Sequence, residues 1–415
     1  MQRDAFWSGL EAVVSGCLSI LSSFIIARLA GPSELGIAAA AVAVHVTLWV
    51  AVNALFADAL VQCAQIDDRM KSSAFWASCA VGCVAAVVQA GAGWGLAAMF
   101  GDGRLVAMGL LLAAPLPLVG AAGAVQGLLT RERAYRHLAL RTLIGQGLGA
   151  ALGLHAALNG AGAWALIWQQ SVTSAAGALA LLLGRGWRPG FRWHGPSILA
   201  LLRVGVPLTA STLVSIMRYR LFALLIGGSA GAAALGQVHI AFRLVDTVRE
   251  LAFTALWRLM LPALSEYQHD RLAMLAQVDR WLRRCLLVFV PLCAGLAIGL
   301  TRAIALLMGP NWVQAGQAAL PLVGLMALSA LTFPSGVALV AAGQVRFTLY
   351  GNVGSLILAA AGVLLVRPET PWQAVTVWTA SQILVTPYAM WASARALRVG
   401  ILRPLTGGFG VRAPA

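Results

Sequence analysis

LLIGGSAGAAALGQVHIAFRLVDTVRE (224–250) carries a glycine-rich turn between two strongly apolar segments, and the second segment holds His239, Arg243, Asp246, Arg249 and Glu250. At about 100° per residue, His239, Arg243, Asp246, Glu250 and Trp257 fall on one helical face, with Arg249 near its edge. An ionisable group in hydrocarbon costs at least about 2.5–3.5 kcal/mol, so such a cluster faces a bundle interior or a water-filled cavity. Two readings follow. The cluster lines a hydrated, cationic central cavity that receives an anionic solute, or its charges form internal ion pairs, Arg243 with Asp246 or Glu250, that hold helices together. The helix before the turn adds Arg218 and Arg220. These lie about 200° apart and cannot both face one cavity. Arg218 shares its side with Ser211 and Ser215, whereas Arg220 shares its side with Leu213, Ile216 and Leu224, so Arg218 is the better candidate.

Composition sets the class. Of 415 residues, 60% are hydrophobic and 10% charged, and the mean hydropathy is +0.83. Ordinary soluble domains carry about 25% charged residues. The chain therefore reads as an all-α polytopic membrane protein. Apolar stretches of spanning length recur at approximately 6–30, 35–62, 72–100, 105–129, 138–159 and 161–184. They resume at 198–226, 232–263, 282–308, 315–342, 347–366 and 372–395. That predicts twelve transmembrane helices in two six-helix lobes. The expected divisions are an N-terminal lobe at 1–185, a basic cytoplasmic linker at 186–197, a C-terminal lobe at 198–400 and a cytoplasmic tail at 401–415.

With the N-terminus placed inside, 20 of the 29 lysines and arginines fall at cytoplasmic ends and loops, and Arg28, Arg104, Arg302 and Arg367 fall outside. This asymmetry fits the positive-inside rule with both termini cytoplasmic. It accounts for most of the +15 net charge through contact with anionic lipid, without nucleic acid. The outer loops are short. The segment SEYQHDRLAMLAQVDRWLRR (265–284) is the longest polar stretch and reads as an amphipathic helix on the cytoplasmic surface.

A repeat is visible. ARLAGPSELGIAAAAV (27–42) and IGGSAGAAALGQVHIA (226–241) place Leu35-Gly36 and Leu235-Gly236 at an offset of 200, and LLTRERAYRHL (128–138) is echoed by LVAAGQVRFTL (339–349). Six helices per half make the repeats parallel, related by a pseudo-two-fold axis along the membrane normal. The halves differ in polarity: Ala43 and Val46 stand where the second has Arg243 and Asp246. The first half offers Glu11, Asn53 and Asp58, and Asp58 aligns with Arg258 at the same offset. Pro115, Pro117, Pro207 and Pro387 mark expected kinks.

The motifs of ATPases, serine hydrolases and zinc proteases are missing, as is a Cys-x-x-Cys pair, so no catalytic residue, metal or cofactor is expected. Cys17, Cys63, Cys79, Cys83, Cys285 and Cys293 read as small apolar packing residues.

IARLAGPSELGIAAAAVAV (26–44), ALVQ (59–62), LLTRERAYRHLALRTLIG (128–145), AGAWALIWQQ (161–170) and PALSEYQ (262–268), in that order, resemble the polysaccharide-repeat-unit flippases. These form the Wzx-like branch of the multidrug/oligosaccharidyl-lipid/polysaccharide exporter superfamily. The resemblance implies alternating access between two lobes in a bacterial inner membrane, with a lipid-diphosphate-linked oligosaccharide as substrate. Arginine forks suit phosphate oxygens. Substrate contact is thus expected from Arg218, Arg243, Arg249, Asp246, Glu250 and His239. Many relatives carry acidic residues where this chain has Phe222 and Asn53, which leaves Asp246 and Glu250 as the candidates for ion coupling. A polysaccharide polymerase or export machinery is the expected partner, and a monomer is plausible. A peptidoglycan lipid-intermediate flippase and a multidrug exporter of the same superfamily are the alternatives. A glycan polymerase would want a large outer loop, and none is present.

Overall fold

The computed structural model describes residues 2–184, 189–267, 271–341 and 345–397. All regular structure among them is helical. The elements are α1 (Gln2–Ala30), α2 (Pro32–Gln62), α3 (Asp68–Phe100), α4 (Arg104–Ala113), α5 (Leu116–Arg131), α6 (Tyr135–Leu158), α7 (Trp164–Leu183) and α8 (Gly195–Ser265). They continue with α9 (Arg271–Met308), a 3-10 turn (Pro310–Trp312), α10 (Val313–Ala341), α11 (Val345–Val366) and α12 (Pro371–Leu397). Among the described residues, nine helical segments are long and apolar enough to cross a membrane. The chain is a multi-pass membrane protein.

Two breaks shape the helices. Between α4 and α5, Pro115 lacks the N–H that would bond the Leu111 carbonyl. Ser171 on α7 supplies a hydroxyl to that carbonyl at 3.0 Å, so the break leaves no polar group stranded. Pro207 lies within the continuous run of α8, which is broken instead at Gly231 (φ 84°, ψ 173°). Gly31, its counterpart at the offset of 200, has the same backbone (φ 81°, ψ 169°). Both angles suit only glycine.

The chain forms two compact units, Met1–Gly236 and Gln237–Ala415. In the first, helices approach through small residues, as helices must when lipid gives them no hydrophobic reason to associate. Gly145, Gly149 and Gly153 repeat every four residues along α6 against α7. A methyl added to Gly149 would meet the Gln169 carbonyl at 2.6 Å, and one on Gly145 would meet the Thr173 carbonyl at 2.8 Å. Gly36 and Gly236 abut reciprocally: a methyl on Gly36 would strike the Ala232 carbonyl, and one on Gly236 the Pro32 carbonyl. The α8 segment before Gly231 belongs to this unit, with Leu201 packed among Phe56, Leu60, Ala74 and Leu128.

The turns that open α2, α4 and α7 are tied by charge. Arg104 Nη2 lies 2.8 Å from Glu34 Oε1 and 2.8 Å from Asp102 Oδ2. Glu34 also accepts the Ala163 backbone N–H at 2.9 Å, joining the starts of α2, α4 and α7. At its other end α2 finishes on Arg131, whose guanidinium donates to the Cys63 carbonyl and, at 2.7 Å, to that of Ala64. Cations favour helix C-termini for this reason.

In the second unit, Phe253 stacks on Phe289 (4.5 Å) and meets Phe333 (4.4 Å), Phe242 meets Trp378 edge-on (5.5 Å), and Gln237 donates to the Asn311 carbonyl at 2.6 Å. The polar stretch expected to lie on the lipid surface instead opens α9, which runs unbroken from Arg271 into its apolar part. Met274, Leu275, Val278, Trp281 and Leu282 are buried, because that stripe finds protein neighbours and not lipid. The linker residues 185–188, the tail 398–415 and residues 342–344 of the second echoed turn lie outside the described residues.

Two outcomes follow from this packing. Gly149→Leu should lose on the order of 1–3 kcal/mol of stability and lower the yield of monodisperse protein in detergent size exclusion. Arg104 holds the Asp102 carboxyl below its usual range through their hydrogen bond. Its stabilising contribution is therefore present above the unfolded pKa of about 3.9 and is lost as pH falls through the lower folded value. The pair is partly exposed and worth at most about 1 kcal/mol. The melting temperature should be level from pH 7 to 5 and drop below about pH 4, with a shallower drop in Asp102→Asn.

Candidate functional site

The second half of α8 carries five of the six expected site residues. Its alternation of buried Ile240, Ala241, Phe242 and Val245 with half-buried His239, Arg243, Asp246 and Arg249 makes one side core and the other polar. Asp246 Oδ1 receives Arg249 Nη2 at 2.8 Å, an i,i+3 pair whose side chains keep 37% and 41% exposure. The carboxylate thus positions Arg249. Thr247 spends its hydroxyl on the Arg243 carbonyl at 2.7 Å. Glu250 is exposed. Arg218 lies on the first half of α8, within the first compact unit, and is half-buried. The Ser215 side chain lies outside the described residues. Arg220 rests against the Tyr219 ring, 5.5 Å from its centroid.

The two positions at which the resemblance led to an expectation of acid carry none. Phe222 is 1% exposed in the core, and Asn53 is buried. Asp58 and Arg258 are both exposed. Among the described residues, no three His, Cys, Asp or Glu side chains come together as metal ligands.

One site residue was not singled out in the sequence. Arg141 counts there among the cytoplasmic cations, yet it sits about 9 Å into α6 at 1.5 Å per residue. It borders a cavity of about 260 Å³ inside the first unit. Its guanidinium donates to Gln126 Oε1 and lies 5.7 Å from the centre of the Trp49 ring. Trp49 and Asn53 on α2, Gln146 on α6, and Gln170 and Thr173 on α7 complete the polar part of the wall. The signal was present: Arg141 extends the Gly145–Gly149–Gly153 stripe by one step of four, so it points toward α7 and not away from the bundle.

Comparison with known proteins now becomes decisive. Residues 25–317 match the model of the family described as polysaccharide biosynthesis protein. The chain belongs to this family. It is 24% identical over 327 residues to the succinoglycan biosynthesis transport protein of Rhizobium meliloti, covering 79% of this chain and 65% of that protein. It is 26% identical over 246 residues to the amylovoran biosynthesis protein of Erwinia amylovora, covering 52% of this chain and 61% of that one. The alignments thus span a little under two thirds of these relatives. In fold, it is similar to a lipid II flippase in an inward closed conformation, with TM-score 0.79, 12% identity, and coverage of 98% of this chain and 90% of that one. An inward-facing multidrug resistance transporter gives TM-score 0.70, also at 12% identity, with 92% and 95% covered. The family match places the chain in that family, and the solved structures show its fold.

An ion pair this exposed adds about 0.2–1 kcal/mol to stability. A double-mutant cycle of Asp246→Ala with Arg249→Ala should therefore show a coupling in thermal unfolding below about 1 kcal/mol.

Proposed function

We propose that the protein is a flippase that moves a lipid-diphosphate-linked oligosaccharide from the cytoplasmic to the outer leaflet for surface or exported polysaccharide. The reading is carried by the family match over residues 25–317, which runs through the first unit and well into the second. The names of both curated relatives support it. The fold likeness to a lipid II flippase and a multidrug transporter is common to every function weighed for this chain and selects none of them.

The working architecture is twelve spans in two six-helix lobes, 1–185 and 198–400, related by a parallel pseudo-two-fold axis. The linker 186–197, the tail 401–415 and both termini lie on the cytoplasmic side of the bacterial inner membrane. The matching backbones of Gly31 and Gly231 support the repeat, and the arginine distribution supports the orientation. Arg218, Arg243 and Arg249 contact phosphate or sugar-acid oxygens. Asp246 aims Arg249 and, with Glu250, is the candidate for ion coupling; His239 lies on the same face. A diphosphate leaving water must have its charge met along the path, and guanidinium forks do so in pairs of parallel bonds. The lipid tail stays in the bilayer. A polymerase or export assembly takes the product outside.

Deleting the gene should cause lipid-linked oligosaccharide to accumulate and surface glycan to disappear. Complementation with Arg243→Ala should leave export near background at normal protein level in the membrane. Wild-type export from that variant would overturn the role of Arg243, and a deletion with unchanged glycan would overturn the function.

A further inference from the structure

The cavity around Arg141 sits between α2, α5, α6 and α7, entirely within the first compact unit. From its composition we infer that it is a binding subsite for a sugar acid, a hydroxylated ring bearing a single carboxylate. This rests on the proposed function, because the acid would be one residue of the carried oligosaccharide.

Size is the first argument. At about 260 Å³ the cavity lies near the lower end of the range of about 300–1,000 Å³ for small-ligand sites, a size that suits a single ring. Charge is the second. Arg141 is the one charged residue in the wall, and no carboxylate lines the cavity among the described residues. The carboxylate whose field reaches Arg141 belongs to Glu11 on α1, outside that wall. Arg141 is half-buried, and within the wall its guanidinium is met by an amide oxygen and an aromatic face and by no carboxylate. Its fork matches a planar carboxylate in a bidentate pair, whereas a diphosphate would call for further cations that this wall lacks. Position is the third argument. Gln126 fixes one edge of the guanidinium and Trp49 covers its face, so the fork is oriented before any ligand arrives.

The remaining wall supplies what a ring needs beyond its acid. Asn53, Gln146, Gln170 and Thr173 offer amide and hydroxyl groups that both donate and accept, the pattern that ring hydroxyls present in return. A cavity built only for packing would be filled with Leu or Ala. Gly145 and Gly177 line it without side chains.

The test uses the purified full-length protein in detergent and the free monosaccharides glucuronate, its neutral methyl ester, glucose and inorganic phosphate. Each is titrated to about 100 mM, because ligand shifts stability only when its concentration exceeds Kd. Glucuronate should raise the melting temperature in a saturable way, and the other three should not. Arg141→Gln should abolish the shift. Gln146→Leu, which removes no hydrogen bond holding the arginine, should weaken it, so a misfolded arginine variant does not leave the matter open. Equal shifts from glucuronate and its ester, an equal shift from phosphate, survival of the shift in Arg141→Gln, or no shift at all would each overturn the assignment. Because the measurement needs no transport, its failure leaves the flippase reading standing, and a deletion that left surface glycan unchanged would not alter the binding result.

Discussion

Helices in hydrocarbon gain nothing by hiding apolar side chains from a solvent that is itself apolar. What brings them together is close backbone contact, and in the first unit that contact is made by glycine. The stripe on α6 lets α7 approach so closely that a methyl would strike its carbonyls, and Gly36 and Gly236 do the same where α2 meets α8. Everything polar is arranged around these approaches. Ser171 reaches the Leu111 carbonyl because α7 lies near the break above Pro115, and His45 meets Ser174 at 3.1 Å for the same reason. Dispersion between close backbones is small per atom and large in sum.

The charged residues divide by how they are compensated. Arg104, Glu34 and Asp102 neutralise one another at exposed turns, where water still helps and the contribution to stability is modest. Arg131 serves carbonyl dipoles at a helix end. Arg249 has a carboxylate beside it, while Arg141 has an amide and an aromatic face. The gradient runs from structural ties to groups whose charge is held ready for something else.

Much of this was legible in residue order alone. Continuous apolar runs of about 20 residues admit few folds, and Gly31 and Gly231, 200 residues apart, share one backbone conformation. The face shared by His239, Arg243 and Asp246 follows from helical phase. Two features escaped. Arg141 lies near enough to a cluster of basic residues that counting charges by loop absorbed it, whereas its spacing from Gly145 told of a different environment. The stretch after Arg271 has the alternation of a surface helix, but amphipathic pattern does not say whether the apolar stripe meets lipid or protein. Pro207 and Pro115 look alike in sequence; α8 runs on through the first, while α4 and α5 part at the second although Ala114 and Pro115 keep right-handed helical angles.

The glycine stripe of α6 also bears on how the chain is assembled. With its glycines, Gln146, Arg141 and His155, α6 is absent from the segments apolar enough to cross unaided, whereas α7 is among them. A helix of that make-up gains little by leaving the translocon alone. Docked on α7 through three glycines and a two-glycine turn at 160 and 162, it presents its polar side to a partner before lipid reaches it. The hairpin, and not the single helix, is then the unit handed to the bilayer during biogenesis.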